Sequence, residues 1–102
     1  MESLDDTMMD LPGEDLVRSG MRDIVAKRET IAGELVKIGS PRLRECGLTI
    51  DVSKEDALAA DRRLYTMLGD LHGLDAHARF NSLIRELVSF ERSLEHRLRR
   101  GV

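Results

Sequence analysis

The chain has 102 residues, of which 41% are hydrophobic, 34% charged and only 3% aromatic, with a formal net charge of -3. That length fits one domain able to bury its own core, and the shortage of aromatics makes the core aliphatic. Net acidity and a mere three aromatic residues, Tyr65, Phe80 and Phe90, disfavour general nucleic-acid binding and leave it only a local basic face, while no apolar run nears the ~20 residues that span a bilayer.

A single cysteine, Cys46, forms no intrachain disulfide, and no Cys-x-x-Cys spacing is present, so a reducing compartment, the cytoplasm, is expected. The first fifteen residues contain Glu2, Asp5, Asp6, Asp10, Glu14 and Asp15 without a Lys or Arg, the reverse of the basic start that export signals need.

Residues 1–12 lack helical periodicity and carry negative charge, which predicts a mobile acidic tail in which Met8, Met9 and Leu11 are the residues able to dock. The single helical domain is expected over 13–102. From 14 to 38 the apolar residues Val17, Met21, Ile24, Ile31, Leu35 and Ile38 alternate steps of four and three, with Arg28 standing in the missing position. The pattern predicts one coiled-coil-like helix, roughly 37 Å long. Gly20 and Gly33 weaken it or serve close packing. Arg28 on the seam is costly unless it pairs, with Glu86 or Glu91 as conceivable partners, or snorkels from the stripe edge.

The stretch GSPRLRECGLTIDVSKED, residues 39–56, carries two periods side by side. Ser40 as cap, Pro41 at the first helical position and Gly47 as stop predict a short helix at 41–46. Leu48, Ile50 and Val52 then alternate with Thr49 and Asp51 as in a short half-buried strand. The favoured reading is a lid across the bundle end; the sharper one pairs 48–52 with its copy in a second subunit. Residues 31–47 also have some flavour of a helix-turn-helix, with Arg42 and Arg44 facing bases, although the recognition helix would be short and Glu45 would face phosphates.

Ser53 begins a third helix at 54–72, with Asp56 in its first turn, Ala57, Ala60, Leu64, Met67, Leu68 and Leu71 on its buried face and Gly73 as its stop. Asp75 precedes a fourth at 76–99, whose Phe80, Leu83, Leu87, Phe90, Leu94 and Leu98 keep the same spacing. The loop between the two is so short that they form an antiparallel hairpin.

Chemistry is sparse. Asp70, His72, Asp75 and His77 are ligand types for a divalent ion, but their spacing matches no metal signature, and solvated turn residues are the favoured reading. Cys46 reads as a half-buried structural thiol. No Gly-rich phosphate loop, G-x-S-x-G elbow or H-E-x-x-H is present, so no catalytic residue, cofactor or metal is assigned and the chain is not expected to be an enzyme. Arg92, Arg97, Arg99 and Arg100 make a basic end opposed only by Glu91 and Glu95; cations belong at a helix C-terminus, and an electrostatic contact with an acidic partner is the functional alternative.

The expectation is an all-α domain in which a long N-terminal helix packs along the hairpin and a homodimer completes a larger bundle through the seam Val17, Met21, Ile24, Arg28, Ile31, Leu35 and Ile38. The expected role is a non-catalytic interaction or regulatory protein that binds itself and a protein partner. The alternative is a small dimeric DNA-binding regulator using 31–47 and the terminal arginines.

Overall fold

The structure is a computed structural model that describes residues 4–100, with the side chains of residues 6–100. Its elements are α1 (Leu4–Met8), α2 (Glu14–Val25), α3 (Ile31–Glu45), α4 (Lys54–His72), a 3-10 turn (Gly73–Asp75) and α5 (Ala76–Arg100). The fold is all-α, and no strand occurs among the described residues. None of their helices is long and apolar enough to cross a membrane.

The expected helix over 14–38 is two helices. Ala26 ends α2, and Lys27 takes the left-handed conformation with φ +58°. The Lys27 amide then donates to the Ile24 carbonyl at 3.1 Å, and the Arg28 amide donates to the Asp23 carbonyl at 2.9 Å. These two bonds are a Schellman stop, normally built on glycine. Thr30, extended at φ -133°, caps α3 by accepting from the Gly33 amide at 3.0 Å. The break lets α2 fold back antiparallel on α3, where Gly20 allows an approach so close that a Cβ there would lie 2.3 Å from the Ala32 carbonyl oxygen.

The expected short helix at 41–46 is the continuation of α3. Pro41 has no amide to give the Lys37 carbonyl four residues back, and a proline inside a helix ordinarily breaks it there. The buried Ser40 hydroxyl donates to that carbonyl at 2.8 Å, so the exposed acceptor is satisfied and the helix continues. At the end of α3 the Schellman bonds recur, this time on Gly47 with φ +100°: its amide donates to Arg44 O at 2.9 Å and the Leu48 amide to Leu43 O at 3.1 Å. Leu43 and Leu48, both buried, make the apolar pair that accompanies the motif.

The alternating stretch 48–52 is not a strand. Leu48 and Ile50 are buried, but the backbone is fastened by Arg44, whose guanidinium donates to Ile50 O at 2.9 Å and Val52 O at 2.7 Å. A side-chain fork takes the place of a neighbouring strand. The Ser53 hydroxyl accepts from the Asp56 amide at 3.1 Å as expected, and α4 and α5 pack together across the 3-10 turn.

α3 is the central helix, packed on α2, α4 and α5. The core joins Val17, Leu35, Val36, Leu43, Leu64, Leu68, Leu87, Phe90 and Leu94. Within the segment read as an acidic tail, α1 lies on α5, Met8 and Leu11 join the core, and Arg97 donates to Thr7 O at 3.0 Å and Met9 O at 2.6 Å. Residues 1–3 lie outside the described residues.

Candidate functional site

Where α2 turns into α3, the structure leaves a cleft of about 500 Å³. Met21, Ile24, Ile50 and Val52, each buried or half-buried, make its apolar lining; the exposed Val25, Lys27, Arg28, Glu29, Thr49 and Asp51 edge it. Val25 is 84% exposed, second only to Leu74 in the helical connection among the large apolar residues described. A smaller groove formed by Met21, Arg22, Val25 and Ala26 adjoins it through Val25. The cleft follows from the local chemistry already described: the Schellman stop holds the end of α2 away from α4, and Arg44 sets the opposite wall.

A network of charges adjoins the cleft, and two of its members, Lys37 and Asp56, line it directly. Glu34, in the first turn of α3, is 1% exposed. Arg63 meets it with a two-pronged fork, Nε to Oε1 at 2.9 Å and a terminal nitrogen to Oε2 at 3.2 Å, and also donates to Asp56 O at 2.9 Å and to the Asp56 carboxylate. Lys37 lies 3.4 Å from Glu34 and 3.2 Å from Asp56. Hydrogen bonding to Glu34 holds the Arg63 guanidinium firmly charged. Burial works to raise the Asp56 carboxyl, but Lys37 and Arg63 outweigh it and hold the group below the ordinary carboxylate range. Charges of both signs satisfy one another here, which fixes α3 against α4 and presents no free nucleophile or base.

The seam residues divide. Val17 and Leu35 are fully inside the core, while Met21, Ile24, Ile31 and Ile38 pack against it half-buried. Arg28 pairs with neither Glu86 nor Glu91 but with Asp23 at 3.0 Å, its side chain 64% exposed. The Asp23 carboxylate also accepts from the Thr30 hydroxyl at 2.6 Å, and that bond first, with Arg28 after, keeps it below its usual range.

Arg42 is held by Glu95 at 3.2 Å, and Arg44 by the two carbonyls of the 48–52 segment. Of the terminal arginines, Arg97 holds the N-terminal segment and Arg99 pairs with Glu95 at 2.9 Å, whereas Arg92 and Arg100 are exposed. Asp70, His72, Asp75 and His77 are all exposed; among the described residues, no group of three or more His, Cys, Asp or Glu is placed to hold a metal. His77 instead lies near Tyr65, ring centres 6.4 Å apart. Burial pushes the Cys46 thiol up, away from the reactive thiolate. Glu91, 4% exposed and pressed against Gly39, is likewise raised by burial.

Sequence reasoning missed the Glu34–Arg63 pair, because each residue reads as a surface charge on its own helix. The available signal was the small residues Gly33, Gly39 and Ser40, which mark α3 as approached from several sides. No protein-family model, curated protein or solved structure matches this chain.

Proposed function

We propose that the protein is a non-catalytic, cytoplasmic interaction protein that self-associates through the cleft at the α2–α3 turn, and that the pair presents helical surfaces to a protein partner. The supporting observation is that a knob and a hollow share one surface: Val25 stands out beside the apolar cleft it helps to edge. A two-fold arrangement brings each Val25 onto the apolar lining of the other copy, the self-complementary form that closed dimers take. Charge favours the same occupant. Lys27 on the turn and Asp51 on the facing segment edge the cleft, and neither makes an ion pair among the described residues. Across the two-fold each Lys27 meets the second copy's Asp51.

Light scattering over a concentration series tests this reading. The intact chain gives twice the 11.5 kDa monomer mass as concentration rises, Val25→Asp stays monomeric, Lys27→Asp weakens association, and Lys27→Asp with Asp51→Lys restores it. A monomer at every concentration overturns the proposal.

The DNA-regulator reading has less behind it. Residues 31–45 form one uninterrupted helix without a turn near Pro41, and Arg42 and Arg44 are both engaged within the chain.

A further inference from the structure

The face of α5 turned away from the core carries Ser82, Arg85, Ser89, Arg92, His96 and Arg99 at successive steps of three and four, and all six are exposed. From Arg85 to Arg99 this line runs about 21 Å. No Asp or Glu stands on it. The nearest acids, Glu86, Glu91 and Glu95, lie one position off the line; Glu91 is buried, and Glu95 is held by Arg42 and Arg99. Arg85 and Arg92 make no ion pair or side-chain hydrogen bond among the described residues. In a chain with 19 acids against 16 Lys and Arg, this is a straight row of cations left largely unneutralised.

From this arrangement we infer that the outer line of α5 binds the phosphate backbone of a duplex nucleic acid, independently of base sequence. Guanidinium forks match phosphate oxygens, and the intervening serines are short enough to leave the approach open while offering hydroxyl donors. The line has no Phe, Tyr or Trp on which bases could stack and a single imidazole, His96, so the contact is chiefly with the backbone. It also has no apolar side chain to enter a lipid surface, because the apolar face of α5 is the one turned into the core. Arg97 takes no part, since the carbonyls of Thr7 and Met9 hold it. Net acidity elsewhere confines the attraction to this face and makes it modest.

The test is anisotropy of a fluorescein-labelled duplex of arbitrary sequence, about two helical turns long, titrated with the intact protein, with phosphatidylserine vesicles run in parallel. Two phosphate contacts, from Arg85 and Arg92, predict that affinity falls roughly 12-fold between about 50 and about 200 mM salt. Arg85→Glu with Arg92→Glu abolishes binding at the lower salt, and Arg62→Glu, an exposed arginine on α4, leaves it unchanged. The inference is overturned by a duplex that does not bind at the lower salt, by an unaltered Arg85→Glu/Arg92→Glu variant, by an equal loss in Arg62→Glu, or by binding to the vesicles alone. The Arg85 and Arg92 side chains are exposed and unpartnered, so circular dichroism of the double variant matches the parent.

Discussion

Asp23 and Thr30 join two helices across the turn between them: the Thr30 hydroxyl donates to an Asp23 carboxylate oxygen at 2.6 Å while its own oxygen caps α3 at the Gly33 amide. The same carboxylate pairs with Arg28, so one side chain from the last turns of α2 organises both the stop of one helix and the start of the next. Because the folded state holds Asp23 below the carboxylate value of the unfolded chain, its contribution is fully present above that unfolded value, near pH 4, and is lost as pH falls through the lower folded one. Urea midpoints measured from pH 7 down to pH 3 therefore fall, and Asp23→Asn has a shallower acid dependence than the parent. Thr30→Ala costs about 1 kcal/mol at neutral pH through the lost cap.

Lys27 and Gly47 occupy the same place in two Schellman stops, both with positive φ. A side chain in that conformation is strained, and glycine relieves the strain at some cost in unfolded-chain entropy. Lys27→Gly stabilises the protein by up to about 1 kcal/mol, whereas Gly47→Ala destabilises it by about 1 kcal/mol or more. Opposite shifts in denaturant midpoint check the pair; equal shifts would show that the two stops are not equivalent.

Arg63 neutralises a carboxylate that is 1% exposed, so its removal leaves Glu34 with only Lys37 at 3.4 Å. Arg63→Met costs roughly 3 kcal/mol. Adding Glu34→Leu recovers most of that loss, since the pair can be exchanged for apolar packing but not halved. A double-mutant cycle by urea unfolding reads the coupling directly, and simple additivity would sink the argument.

Gly20 and Gly69 are both helical glycines with opposite surroundings. A Cβ at Gly20 would stand 2.4 Å from Val36 Cγ2 as well as against the Ala32 carbonyl, while nothing lies within 4 Å of one at Gly69. Gly20→Ala forces α2 off α3 and costs roughly 2–3 kcal/mol. Gly69→Ala stabilises by about 1 kcal/mol, because only the helix-interior penalty of glycine changes. Thermal unfolding of the two variants separates them by sign.

Several features were legible in the residues alone. The aliphatic composition and the three-and-four spacing of Phe80 through Leu98 specify amphipathic helices, and the Ser53 cap with the Gly73 stop sets the bounds of α4, because those signals act within one turn of the chain. The break at 26–30 was not legible. Its left-handed position is a lysine with no local glycine signal, and Arg28 reads equally well as a flaw in a heptad until Asp23 is seen to hold it. Pro41 signalled a helix start, yet the Ser40 hydroxyl and the packing of α3 between its neighbours carry the helix through it. The period at 48–52 is that of a strand, but Arg44 on its carbonyls, with the Leu48 amide on Leu43 O, makes it a stapled loop. Likewise the N-terminal segment has too little apolar surface to order itself, but Met8 and Leu11 find the core and Arg97 binds its carbonyls. The sequence by itself determined that the chain is helical, the extents of α4 and α5, and the apolar stripe of α5, since these depend on neighbours a few residues apart. Only the tertiary structure decided where the first helix folds back, which charges are paired and which surface is left uncovered, because those depend on groups brought together from distant parts of the chain.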